Sequence, residues 1–301
     1  MKNATLLCCA LLALPMALAA DASGSQAAPW LLISNNGRQS ALGDGVAATA
    51  GDANALGEAP SGLAEVQGQQ LAAGENFWLQ GANLTHLAWA DSLVTGGALG
   101  VAVNYQDFGS IDLYNESNGA LVSNGSTRPD AWDIDLGWGQ KFGGLCVGAD
   151  AKVLNQSLDG DNASGVGFDV SGSWDFGMGL RLGVAGQNLG PQFDGSDLPT
   201  VFAGGLAYGF GPDAASTTLA VDVDAPALGT ATVGVGVEEW VKSVLALRLG
   251  YRSNNVGTSD LGVSGLTAGV GLKASWLRLD YAWRAEGDLG MANQISVLTS
   301  F

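Results

Sequence analysis

Apolar and polar residues alternate with a period of two along nearly the whole of this chain, and that rhythm narrows the folds open to it. Leu245, Leu247, Leu249 and Tyr251 interleave with Ala246, Arg248, Gly250 and Arg252. Leu277, Leu279, Tyr281 and Trp283 interleave in the same way with Arg278, Asp280, Ala282 and Arg284. Successive side chains of a strand point to opposite faces, so each segment has one apolar face and one small or charged face. A soluble sandwich alternates too, but here the pattern follows an export signal and runs to a terminal phenylalanine, Phe301. That combination predicts an all-β fold, a transmembrane antiparallel β-barrel with lipid on one face and a polar lumen on the other.

The export signal is expected at residues 1–19. Lys2 supplies the positive start, residues 6–14 the apolar stretch and Ala17-Leu18-Ala19 the small-residue cleavage site. The apolar stretch is too short for a membrane-spanning helix, which needs roughly 20 residues. Cys8 and Cys9 fall within it, leaving Cys146 alone in the mature chain as a buried or lipid-facing thiol with no disulfide partner. No later segment has the unbroken apolar run of a spanning helix, so a membrane reading requires a barrel. Glycine accounts for 46 of 301 residues, against a usual share of about 7%. Tight turns, small lumen-facing positions and sheet curvature are the uses expected of it. The net charge of −17 speaks against nucleic acid, which wants a basic face. It speaks equally against a peripheral protein drawn to anionic lipid. Acidic residues in loops and lumen account for the excess.

Residues 20–65 break the rhythm. The stretch 43–56 is small and Ala-rich, and Pro60-Ser61-Gly62 interrupts it. The expectation is a short N-terminal plug or hatch over 20–65, followed by the barrel over 66–301. Alternating segments then recur at 71–79, 84–89, 99–108, 132–138, 145–154, 166–174, 178–184, 201–210, 219–223, 232–240, 245–251, 266–273, 277–283 and 293–301. Their number is about fourteen, even as bacterial outer-membrane barrels require. Residues 109–129 read as an Asp/Asn/Gly loop, and the apolar residues Ile111, Leu113, Tyr114 and Leu121 within it are candidates for a docking groove or for packing against the rim.

Asp222, Asp224, Arg248, Lys273, Arg278, Asp280 and Arg284 fall on the polar faces of their strands. A charge facing lipid costs roughly 2–4 kcal/mol near the midplane, so these side chains are expected to point inward and pair across the lumen around the plug. Trp132, Trp138, Trp240, Trp276 and Trp283 lie toward strand ends, where an interfacial aromatic girdle sits. His86 is the sole histidine, on the polar side of its strand and without a recognisable nucleophile, so no catalytic residue is assigned. A lone histidine and a distant cysteine make no transition-metal site. Asn155, Asp159 and Asp161 read as turn residues before they read as calcium ligands. No metal or other cofactor is expected.

A family resemblance emerges from several motifs together. Gly186-Gln187-Asn188-Leu189-Gly190-Pro191, with Phe193-Asp194-Gly195 and Leu198-Pro199 behind it, resembles the "GQNLG…LP" signature of PorV/PorQ proteins, relatives of the FadL long-chain fatty-acid channels. Residues 105–111, 249–253, 265–271, 279–282 and 287–290 are also similar to that family's segments. Where the family has an "N-P-A-G-L" hatch, this chain has Ala59-Pro60-Ser61-Gly62-Leu63, without the asparagine. Phe301, Val297 and Ile295 fit the terminal signal read by the barrel-assembly machinery, while Thr299 is less apolar than usual.

The resemblance implies a non-enzymatic protein of the bacterial outer membrane, with lipid and the assembly machinery as its general partners. Two functions follow from it. As in PorV and PorQ, the chain would associate with type IX-like secretion components or their cargo. As in FadL, it would be a passive channel for a hydrophobic ligand such as a long-chain fatty acid, with Pro60, Gly62 and Leu63 shaping the hatch.

Overall fold

The computed structural model describes residues 26–45, 51–117, 119–211, 215–253 and 264–301. The expected signal peptide with Cys8 and Cys9 lies outside the described residues, as does the first part of the expected plug.

The alternating segments form long strands: β1 (Gln69–Phe77), β2 (Asn83–Leu93), β3 (Gly97–Asp107), β4 (Ile111–Ser117), β5 (Ala120–Thr127), β6 (Asp130–Phe142), β7 (Leu145–Leu158) and β8 (Asp161–Asp175). The second half supplies β9 (Leu180–Leu189), β10 (Val201–Phe210), β11 (Ala215–Pro226), β12 (Thr232–Val241), β13 (Leu245–Arg252), β14 (Leu266–Ala274), β15 (Leu277–Ala285) and β16 (Met291–Ser300). All except β4 and β5 join one closed barrel in which every neighbour is antiparallel. β1 closes it by pairing with β2 through Leu71↔Trp89 and with β16 through Leu71↔Thr299. Closure removes the unpaired sheet edges that lipid does not tolerate. The result is a closed fourteen-stranded antiparallel barrel.

Gln69 and Phe301 lie at the same end and exchange backbone hydrogen bonds (Phe301 N to Gln69 O, 2.9 Å). Turns at that end are brief, as at 94–96, 143–144 and 275–276, whereas the opposite end carries the intervals 108–129 and 190–200. Short turns on the periplasmic side and longer loops outside are the outer-membrane pattern. At the loop end β7 and β8 are joined by Asp159-Gly160, both with positive φ as a two-residue type I′ turn demands.

The period-two pattern becomes two surfaces. Leu87, Val103, Leu136, Val170, Leu206, Val221, Leu249 and Ile295 are exposed around the outer wall. A continuous apolar band of this kind far exceeds the patches that soluble proteins leave in water, and hydrocarbon is what suits it. The inner face of the same strands holds small residues such as Ala72, Ala88, Ala102, Ala246 and Ala282 and buried polar ones such as His86, Lys152 and Arg248. Among the described residues no helix is long and apolar enough to cross a membrane.

Two expectations need correcting. Residues 109–129 are not a plain loop but carry the hairpin β4–β5, a separate two-stranded sheet above the rim. Its Ser, Asn and Gly content reads as a turn-rich loop, whereas the two strands pair with each other, and Ile111, Tyr114, Leu121 and Val122 are exposed on them. Trp240 does not join a girdle. It shares the inward face of Glu238, two residues earlier, and the Arg248 guanidinium lies 5.7 Å above its ring. Trp138 and Trp276 are exposed toward the terminal end, and Trp132 and Trp283 lie on outward faces near the loop end.

Inside the barrel runs the N-terminal segment, residues 26–45 and 51–66. A short helix α1 (Gly37–Ala41) packs on β13, β14 and β15, and a 3-10 turn, Pro60–Glu65, packs on β6, β7 and β8. The wall is thinned to glycine where this segment touches it. A Cβ on Gly148 would overlap the backbone of Pro60 and Ser61, and one on Gly236 would overlap that of Leu42. Close approach of two backbones thus accounts for part of the glycine excess.

Candidate functional site

The lumen has two chemically distinct sides, and the N-terminal segment lies between them. On the side of β11 to β15, five arginines meet acids. Arg248 reaches Glu238 (2.7 Å) and Asp280 (2.8 Å), and Arg278 reaches Asp280 (2.7 Å) and Asp52 of the N-terminal segment (2.8 Å). Arg284 pairs with Asp44 of the segment and with Glu286. Arg38 on α1 ties the segment back to the wall through Glu238, 2.8 Å away. Each buried charge thereby has an opposite one within reach, the condition under which burial is tolerable.

The expected arginine–aspartate network therefore exists in altered form. Asp280 takes two arginines, but Asp224 binds Arg252 (2.7 Å), not Arg248, Arg278 or Arg284. The carboxylate of Asp222 is buried against Gly45 of the N-terminal segment and Gly205 of β10, at points where a Cβ would collide with it. Lys273 is exposed at the end of β14 and is not part of the buried arginine–carboxylate pairing described above. It lines a recess of about 170 Å³ at the terminal end with Asp52, Gln70, Trp276, Arg278 and Ser300. Glu238, Asp44 and Asp52 are partners that strand-by-strand reading did not single out.

On the side of β6 to β8 the balance is reversed. Asp133, Asp135, Asp150 and Asp169 are all buried around a single cation, Lys152. The Lys152 ammonium forms an ion pair with Asp169 (2.9 Å) and donates to Asn188 Oδ1 (2.9 Å) and to the carbonyl of Gly57 (3.1 Å). Asp150 accepts from the Gly57 N–H at 3.2 Å, so both backbone groups of Gly57 are tied to this cluster. Asn104 donates to Asp133 (2.6 Å) and Asp135 (3.2 Å), which leaves its oxygen to accept from His86 Nδ1 at 2.6 Å. The histidine therefore carries its proton on Nδ1 and meets the acids only through an amide. Next to Gly57, Glu58 is buried and accepts from the Asn35 N–H at 2.8 Å. Burial pushes the Glu58 carboxyl up to about 7. The acids had a sequence signal, alternating with Trp132, Ile134 and Leu136, but not the pairing that gathers them.

The signature residues sit at the junction of this cluster with the wall. Phe168 pairs with Leu189 and Val170 with Gly186, so Asp169 alone faces both Gln187 and Asn188: a β-bulge. Asn188, at φ 55°, donates its N–H to Asp169 (2.7 Å) and its amide to the Pro199 carbonyl (3.2 Å). Gln187 donates to the Glu58 carbonyl at 2.8 Å. Gly190 packs so tightly on Val166 and Leu198 that a Cβ would meet them at 2.7 and 2.9 Å.

The hatch residues lie against the glycine-lined wall. Pro60 opens the 3-10 turn, where its missing N–H is not needed. Ala59 precedes it and, having no polar side chain, offers no side-chain cap. Ser61 N–H donates to Ser171 Oγ (2.7 Å), Gly62 N–H to the Ala59 carbonyl (2.9 Å), and Leu63 is fully buried beside Gly137 and Gly139. Above them, at the loop end, Trp30, Leu154, Phe193 and Leu198 form an apolar cluster with Phe108 packed against it.

No protein-family model matches this sequence, and no curated protein matches it. Solved structures do. CymD, a monoaromatic hydrocarbon channel, has a TM-score of 0.62 at 12% identity, covering 90% of this chain and 98% of its own. The Pseudomonas putida toluene transporter TodX gives 0.56 at 12% identity, covering 88% and 97%. A Pseudomonas aeruginosa FadL homologue gives 0.55 at 11% identity, covering 90% and 99%. At such identities the likeness concerns the fold, which is that of the FadL-type outer-membrane barrels.

Proposed function

We propose that this protein is a passive outer-membrane channel for a small hydrophobic molecule. The observation that carries the reading is a closed fourteen-stranded barrel whose lumen holds an anchored N-terminal segment beneath an apolar cluster at the loop end. Fourteen strands enclose more space than their own side chains fill, which leaves room for a hatch and a ligand path. The hydrocarbon and toluene channels that share the fold support the choice of cargo class. Labelled fatty acid or toluene offered to a FadL-deficient host expressing the barrel tests it. Uptake above the empty-vector level is expected, and its absence, with an empty lumen in the purified protein, rejects the reading.

The PorV/PorQ signature supports a second reading, association with secretion components and cargo. Gln187 and Asn188 are engaged in internal hydrogen bonds, so any secretion partner would have to dock elsewhere. Purification from the native host in mild detergent separates the two readings, since only the second requires secretion components to travel with the barrel.

A further inference from the structure

Trp30 occupies a place that suits a free aromatic molecule equally well. Its indole is held edge-to-face between Phe108 and Phe193, each with ring centres 6.0 Å away and planes at 73° and 79°. Leu154 and Leu198 complete a slot that only a flat ring fills well. Below lies polar wall: the indole N–H faces the Asp133 carboxylate without closing a well-formed hydrogen bond. An apolar slot with one convergent acceptor is the usual make-up of a small-molecule site.

The segment that carries Trp30 is also the least anchored part of the N-terminal segment. From residue 26 to 37 it has no charged side chain, whereas residues 38–65 are tied to wall strands through Arg38, Asp44, Asp52 and Glu65. Two of its ties run to loop residues, Ala27 N–H to the Asp197 carbonyl (3.0 Å) and Gln26 to the Leu228 carbonyl (3.2 Å). Ala28 is held at φ 49°, in the left-handed region that alanine disfavours. Withdrawal of this segment relieves that strain and breaks no ion pair.

We infer that the slot filled by Trp30 is a binding site for a flat aromatic molecule bearing an N–H or O–H donor, an indole- or phenol-like compound, with the chain's own tryptophan as its resident stand-in. This deepens the channel reading and rests on it for the direction of entry. The donor requirement comes from Asp133, which already accepts from Asn104 at 2.6 Å: a ring N–H or O–H supplies a second donor to a buried carboxylate, and a ring without one forgoes that bond in dry surroundings, which costs affinity.

Purified Trp30→Ala, Trp30→Leu and unaltered barrels, each checked for heat-modifiable migration, are titrated calorimetrically with indole and with indene, its near-isostere without the N–H. Both variants, Ala more than Leu, should bind indole, Ala at least ten-fold more tightly than the unaltered barrel, and indene more weakly than indole. Equal indole affinity in all three folded barrels, or indene equal to indole, overturns the inference. Uptake of toluene or fatty acid by the unaltered barrel in vesicles is scored separately. Uptake without any gain of indole binding removes the Trp30 site and leaves the channel; a gain of indole binding without uptake removes the channel and leaves the site.

Discussion

The two sides of the lumen solve the same problem differently. On the β11–β15 side Arg248, Arg278 and Arg284 alternate with Glu238, Asp280 and Asp44, and each arginine has a second carboxylate to fall back on. On the β6–β8 side four carboxylates depend on Lys152, with the Asn104 amide and the backbone of Gly57 taking part of the load. In a balanced network each charge is offset by an opposite one. A cluster with excess carboxylates is eased by protons.

The largest effect is therefore expected from Lys152→Met. It leaves Asp169 without its cation and should lower stability by about 3–5 kcal/mol at pH 8. Part of that loss should return at pH 5, where carboxylates can take up protons. The temperature at which the fast-migrating folded form disappears is the readout, and an equal loss at both pH values would break the distinction drawn between the two sides.

Asp280→Ala strikes the other side. Arg248 keeps Glu238 and Arg278 keeps Asp52, so the loss should fall near the low end, about 3 kcal/mol. It should be the same at pH 6 and pH 8. A pH-dependent loss here would mean that the network is not balanced.

Glu58 sharpens the comparison from the N-terminal segment. Its carboxyl is raised from 4.5 to about 7, so the folded state holds more protons than the unfolded one across that window. Stability must then fall as pH rises from about 4.5 to about 7, and the penalty is complete above it. A fall of about 3 kcal/mol is expected, and Glu58→Gln should flatten it. Identical pH profiles for parent and variant would remove Glu58 as the cause.

Asp159→Ala, in the β7–β8 turn, should cost less than about 1 kcal/mol, chiefly from alanine at positive φ. An effect as large as that of Asp280→Ala would show that the lumen charges do not brace the barrel.

Much of the wall is legible in the amino-acid sequence. Leu247 and Leu249 against Arg248, or Leu279 and Tyr281 against Asp280, separate outer from inner residues because side-chain direction in a strand is local and repeats every second residue. The same rule, applied from Glu238, puts Trp240 inside, against a reading based only on its place near a strand end. Residues 111–127 are harder to read because turn-type residues interrupt the rhythm of β4 and β5. Trp30 carries no signal at all: it lies in a segment without periodicity, and its partners Phe108 and Phe193 belong to distant connections.

By itself the sequence determined that the barrel has about fourteen strands, where its lipid-facing band runs and most of the inward charges, because each follows from backbone geometry over a few residues. Only the tertiary structure decided which charges meet. Arg38 and Glu238 are 200 positions apart, and Arg278 and Asp52 are 226 apart. Closure of the barrel around its own N-terminal segment is what brings such pairs within hydrogen-bonding distance, 2.8 Å in both cases, and nothing local to either residue encodes it.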